Sequence, residues 1–247
     1  MGFGAPFLSR NRGGSFAAGP GAPSGAAAAT EQDVLDLSPL WWLDPAATNC
    51  FTDAGSTAVS SDGDAVYQWN DKSGNSVNHL ESNASYRPVW RASGENSQPY
   101  VDYTAAAARL WADNPGAHST PMTQYMVIAA VTSVTQTGKK IAQGTAYNDY
   151  LHTTAPANNA IRTTFGCSTS VSWGGVQSLT TQIIQIEYSG TSFPVLRING
   201  GSAETINSAG AAAEDDWTAA SGTNMFWGIW GGATFLSYDY IAIGNVT

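Results

Sequence analysis

Residues 181–198 read TQIIQIEYSGTSFPVLRI. Ile184, Ile186 and Tyr188 occupy alternate positions, with Gln185 and Glu187 between them. A period of two sends the apolar set to one face of an extended chain and the polar set to the other, the pattern of a strand packed on one side and wet on the other. Ser189-Gly190 supplies turn chemistry and residues 194–198 resume an apolar run, so the segment reads as strand, turn, strand.

The chain beyond residue 40 repeats this texture. Short β-rich runs alternate with clusters of Gly, Asn, Asp, Ser and Pro, and strands are expected near residues 40–43, 65–69, 88–91, 100–103, 124–132, 140–143, 149–153, 160–165, 181–189, 194–198, 224–230 and 235–243. No long amphipathic helix competes with them. Many short strands with non-local pairing imply an all-β fold, two packed antiparallel sheets forming a sandwich or jelly roll.

Composition agrees with a folded domain. Charged residues make up 12% of the 247, about half the usual share, while hydrophobics stand at 43% and Trp (9) and Gly (26) run high. Ten Lys and Arg against nineteen Asp and Glu give a net charge of -9, which excludes a general phosphate-backbone binder, so nucleic acid is not an expected partner. The longest strongly apolar stretch, residues 126–131, is too short to span a bilayer, and no membrane insertion is expected. Residues 1–12 lack an apolar run after their basic residues, so synthesis in a host cytoplasm without a signal peptide is the expectation. Cys50 and Cys167 permit at most one bridge and no thiolate zinc site. Whether they pair stays open; small buried hydrophobes is the simpler reading.

Residues 1–35 read as an extended Gly/Ala/Pro-rich arm ahead of a sandwich domain over 36–247. The Ala run at 26–29 has the composition for one helical turn into 31–37, but isolated short helices are marginal. Phe3, Phe7, Leu8 and Phe16 are poor choices for a spacer and natural anchors for pockets of a partner, with Arg10 and Arg12 available for carboxylates. A flexible tail is the alternative.

Leu40-Trp41-Trp42-Leu43-Asp44-Pro45, followed by Val66-Tyr67-Gln68-Trp69-Asn70-Asp71-Lys72-Ser73-Gly74-Asn75, resembles the opening of bacterial and phage concanavalin A-like jelly-roll domains of the laminin-G-like type. Tyr86-Arg87-Pro88-Val89-Trp90 and Gln98-Pro99-Tyr100-Val101-Asp102-Tyr103 resemble that family's next two strands. Glu187-Tyr188-Ser189-Gly190 with Leu196-Arg197-Ile198-Asn199-Gly200 resembles its late hairpin, and residues 235–244 its closing strand. Residues 114–178 carry no motif of the family. Without any function the Trp69 string still makes physical sense: Trp69 ends a strand as a core aromatic, and Asn70, Asp71, Ser73 and Gly74 build a tight turn.

Sites are sparse. Enzymes on related jelly rolls that cut β-glucans carry Glu, Asp and Glu at alternating strand positions, and the sequence has no such strand. Glu214-Asp215-Asp216 reads as a solvated turn, and Lys139-Lys140 as a solubilising hairpin loop. His79, His118 and His152 are scattered. No metal site or cofactor is expected; Asp62, Asp64 and Asp71 are weak calcium candidates against an Asx-rich turn. Trp41, Trp42, Trp173, Trp227 and Trp230 lie near Gly or loop positions. Of these, Trp173, Trp227 and Trp230 are the candidates for stacking on sugar rings, core or subunit interface being the competing reading.

The resemblance to domains common in phage genes, with the arm, implies a non-enzymatic virion structural protein: a decoration, head-fibre or tail-fibre subunit on the virion surface. Its arm would bind other virion proteins, its copies would form a homo-oligomer such as a trimer, and its lectin-like domain would meet host-surface glycan. A carbohydrate-binding module or adhesin is the alternative, and a glycan-active enzyme a less favoured third.

Overall fold

The structure, a computed structural model, describes residues 30–105, 107–113, 122–130, 138–143, 149–154, 160–163, 171–173, 180–188, 193–206, 208–209, 224–230 and 235–244. One short helix, α1 (Glu31–Leu35), leads into the strands. These are β1 (Pro39–Leu43), β2 (Cys50–Phe51), β3 (Gln68–Trp69), β4 (His79–Leu80), β5 (Val89–Arg91), β6 (Tyr100–Tyr103), β7 (Arg109–Asp113) and β8 (Met122–Ala130). There follow β9 (Gly138–Gln143), β10 (Asp149–Thr154), β11 (Ala160–Thr163), β12 (Val171–Trp173), β13 (Gln182–Tyr188), β14 (Val195–Ile198), β15 (Ser208–Ala209), β16 (Asn224–Trp230) and β17 (Phe235–Gly244).

They form two antiparallel sheets. The first has seven strands, in the order β14-β13-β8-β17-β6-β5 with β1 also paired to β17; the second has ten, in the order β15-β12-β11-β10-β9-β16-β7-β4-β3-β2. Strand β17 sits at the centre of the first sheet, with β8 along one side and both β6 and β1 along the other. The first strand therefore pairs with the last, Trp42 opposite Ile241 and Leu43 opposite Tyr240. One apolar cluster joins the two sheets, with Trp41, Tyr103, Met126, Ile186 and Leu196 from the first and Cys50, Trp69, Leu110 and Trp173 from the second. The expected all-β sandwich is the fold of the chain.

The strand that decided the fold behaves as its periodicity requires. In β13 every second residue from Gln182 to Tyr188 is buried and those between are half-buried. Its pairing with β14 brings Glu187 and Gln185 beside Arg197 on the wet face, where Arg197 Nε donates to Glu187 Oε1 at 3.0 Å. Elsewhere the expectation needs adjustment. Of residues 65–69 only Gln68–Trp69 form a strand, with Ala65 making an isolated bridge to Val89. Lys139-Lys140 lies within β9 and not in a hairpin loop. Trp41 and Trp42 are buried. Strands β2, β4 and β15 are two residues long and β12 three, too short to display a period.

At the N-terminal end Thr30 caps α1 in a capping box with Asp33. A five-residue helix has little stability of its own; here Val34 packs on Trp42 and Tyr125, on the outer side of β1, and Glu31 pairs with Lys72 at 2.7 Å. The last five residues of the expected arm are thus a helix seated on the first sheet, and residues 1–29, with Phe3, Phe7, Leu8, Arg10, Arg12 and Phe16, lie outside the described residues.

What holds β1 in place is the turn after Trp69. Asp71 Oδ1 accepts from the backbone N–H of Trp42 (2.8 Å) and Ser73 (2.9 Å), and Oδ2 from the Ser73 hydroxyl (2.6 Å) and the Val77 N–H (3.1 Å). The Lys72 N–H donates to Trp42 O at 2.8 Å, and the Asn75 side-chain amide reaches Pro39 O and Leu40 O. Gly74, at φ +93°, makes the sharp turn that a β-carbon would strain. The indoles of Trp69 and Trp90 donate to Asp44 O and Pro45 O, each at 2.9 Å. Removing the Asp71 carboxylate leaves part-buried N–H groups without an acceptor, so Asp71→Ala should lower unfolding stability by about 3 kcal/mol in urea titration. A change below about 0.5 kcal/mol, the size of an ordinary surface substitution, would show that the turn does not hold β1.

Candidate functional site

The second sheet turns Trp69, His79, Leu110 and Ala112 into the core. Alternation then places Gln68, Leu80, Arg109 and Trp111 on its outer face, where Leu80 stands opposite Gln68 on β3 and Trp111 on β7. Leu80 is 41% exposed, one of three exposed large apolar side chains among the described residues. A 3-10 turn at Ala84–Tyr86, begun by Asn83 accepting from the Ser85 N–H, brings Tyr86 and Arg87 to the same corner.

There the Arg109 guanidinium stacks over the Tyr86 ring, 3.9 Å from its centroid and 5.7 Å from that of Trp111. Its Nε donates to Glu81 Oε2 at 2.9 Å, and Glu81 Oε1 accepts from the Asn83 N–H at 2.9 Å. Glu81 is buried, so this ion pair is partly desolvated and fixes the guanidinium plane. Arg87 lies 4.7 Å from the Tyr67 centroid and donates to Glu81 O and Ser82 O, both at 3.0 Å. The result is a fixed, amphipathic corner of aromatic rings, one exposed leucine and two guanidiniums. Its carboxylate, Glu81, is engaged at both oxygens.

Of the residues singled out in the sequence, Trp173, Asp62, Asp64 and Asp71 fall elsewhere. Trp173 is fully buried in the core, and a ring without an exposed face offers no stacking surface. Trp227 and Trp230 lie on β16, in register with Ile141 and Lys139 of β9 and separated by a bulge; their side chains are outside the described residues. Asp71 serves the β1 turn. Asp64 accepts from the Ser60 and Ser61 N–H groups, which hold its carboxyl below the usual carboxylate range. Asp62 accepts from Arg91 Nη1 and the Ala92 N–H. The three carboxylates act as turn and cross-loop acceptors, and the described residues bring no group of three His, Cys, Asp or Glu together for a metal ion. Cys50 is buried, as expected of a small hydrophobe; Cys167, His118 and the 214–216 acidic cluster lie outside the described residues.

Arg109 and Trp111 escaped the sequence reading, although a signal was present. The run Arg109-Leu110-Trp111-Ala112-Asp113 alternates, and reading it as a strand would have put Arg109 and Trp111 together on one face. It stands directly after the Ala-rich run 105–108, which carries no strand pattern.

No protein-family model matches the chain, and no curated protein matches it. Among solved structures, a botulinum neurotoxin type G receptor binding domain is similar with a TM-score of 0.53, at 9% identity over 85% of this chain and 48% of that one. A second structure of the serotype G binding domain gives 0.51 at 9% identity over the same shares. A serotype D ligand binding domain in complex with N-acetylneuraminic acid gives 0.48 at 10% identity, over 86% of this chain and 49% of that one. The chain spans about half the length of these domains. At such identities the serotype G likeness shows a shared fold.

Behind the outer corner, His79 of β4 is fully buried, its Nδ1 3.1 Å from Val77 O and its Nε2 without a hydrogen-bond partner among the described residues. Burial drives its pKa down to about 4 from 6.5, only partly opposed by the Val77 carbonyl and the Asp71 charge. A depressed folded pKa contributes stability that is fully present above the unfolded value and is lost as pH falls. Between about pH 6.5 and pH 4 the unfolded chain takes up a proton that the folded chain refuses, and stability should decline by up to about 3 kcal/mol. Urea unfolding across that window checks it. His79→Leu should flatten the decline, and an unchanged slope in the variant would assign the pH dependence to other groups.

Proposed function

We propose that this chain is a non-enzymatic, glycan-binding sandwich domain, fastened by residues 1–29 to the surface of a virion, where the Arg109–Trp111 corner meets host-surface sugar. The observation that carries the sugar reading is the corner itself. A half-buried indole, a guanidinium-stacked tyrosine and an exposed leucine offer flat apolar surface, with guanidinium N–H donors beside it. A pyranose has the matching division, apolar C–H faces and polar hydroxyls at its rim. The type G neighbour is named as a receptor binding domain, and a binding role for this chain agrees with that. The virion reading is supported by the sequence resemblance and by the four large apolar residues of the arm. Enzymatic function is disfavoured by the lack of a strand with alternating carboxylates.

Binding of the full chain to an immobilised glycan panel should be saturable. Trp111→Ala should weaken it by about 1–3 kcal/mol, taking base stacking on aromatic side chains as the analogue, with the melting temperature little changed. Equal binding by variant and parent would exclude Trp111 from the site. Deleting residues 1–29 keeps the Thr30 cap and should leave thermal melting nearly unchanged while abolishing incorporation into purified particles. Normal incorporation of the deletion would leave a free-standing carbohydrate-binding module as the better reading.

A further inference from the structure

The sugar reading of the Arg109 corner leaves the class of sugar open, and the hydrogen-bond geometry narrows it. A guanidinium carries five N–H donors in a rigid fork. In Arg109 the Nε–H is taken by Glu81, and no described residue accepts from Nη1 or Nη2. The side chain as a whole is 21% exposed. Its orientation is already fixed, by the Tyr86 ring against its plane and the Glu81 carboxylate at its Nε. A donor fork held in advance loses little conformational freedom on binding, and a planar carboxylate is its natural acceptor.

Charge bookkeeping gives an independent indication. Arg87 sits at the same corner, on Tyr67 and on two backbone carbonyls, with no carboxylate partner among the described residues. Of the two guanidiniums, only Arg109 is paired with a carboxylate among the described residues, so Arg87 leaves a positive charge at the corner in a chain whose net charge is -9. An acidic protein that keeps an arginine without a described carboxylate partner beside an exposed leucine has a place for an anion with an apolar body.

We infer that the ligand of this corner is an acidic sugar, its carboxylate held by Nη1 and Nη2 of Arg109 and its ring against Trp111 and Leu80. This inference rests on the sugar reading proposed above. A sialic acid and a uronic acid share the required chemistry, a carboxylate on a pyranose.

Calorimetric titration of the full chain tests it, with 3′-sialyllactose set against lactose, and trigalacturonate set against its methyl ester. At least one acid should bind about tenfold or more tightly than its neutral counterpart, and the preference should shrink as salt is raised. Arg109→Lys keeps a cation for Glu81 but lacks the fork, and should bring acid and neutral sugar close to parity, with folding checked by melting temperature. Trp111→Ala should weaken both. Which acid binds separates the two sources. Neutral sugars binding as well as acids, or Arg109→Lys retaining the full preference, would overturn the carboxylate inference while leaving the sugar site standing. Inorganic phosphate competing as strongly as the acidic sugar would overturn it in favour of a general anion site. Absence of binding by acid and neutral sugar alike would remove both readings.

Discussion

Four donors converge on the two carboxylate oxygens of Asp71: the N–H groups of Trp42, Ser73 and Val77 and the Ser73 hydroxyl. Trp42 belongs to β1 of the first sheet, while Asp71 follows β3 and Val77 precedes β4 in the second. One side chain thus fixes where the edge of one sheet lies against the other. The tryptophans nearby complete the constraint, because Trp69 and Trp90 can bury their indoles only where Asp44 O and Pro45 O accept from them. With β1 so placed, pairing to β17 closes the first sheet, and Trp42 presents its outer side to α1.

The same turn sets the stage for the outer corner. Asp71 leads to Val77, Val77 O meets His79, and the burial of His79 dictates that Leu80 faces out. Next in the chain, Glu81 turns its carboxylate to Arg109 of β7, the neighbouring strand. Leu80 and Glu81 of the outer corner follow Asp71 by nine and ten residues, whereas Arg109 and Trp111 follow it by 38 and 40, so corner and turn are brought together only by the fold. Substitutions at Arg109 or Trp111 act on the wet side of the sheet, whereas those at Asp71 or His79 act on its support.

Much of the fold was legible because alternation is a local property. Ile184, Ile186 and Tyr188 announced a one-sided strand, and the β13–β14 register repeats that pattern in space. The Trp69 string was legible as a turn because Asp, Ser and Gly carry their turn chemistry in their own side chains and backbone freedom. The candidate corner was not legible for the opposite reason. Tyr86, Glu81 and Arg109 come from a 3-10 turn, a strand end and a strand up to 28 positions apart, and only the β4–β7 pairing joins them. Tryptophan count misled in a similar way: Trp173 sits among residues that look loop-like in sequence, yet pairing of β12 with β11 carries it into the core. Aromatic content identifies that some rings need burial or partners; pairing decides which.

The proposed sugar site lies at the arginine-aromatic corner on the outer face of the second sheet. The nine tryptophans make that placement directly measurable, since each indole N–H gives its own proton–nitrogen resonance. During titration with the acidic sugar that binds, the Trp111 resonance should shift with saturation, while those of the buried Trp41, Trp42, Trp69 and Trp173 stay in place. A saturable sugar titration in which Trp111 does not move would contradict the placement of the site.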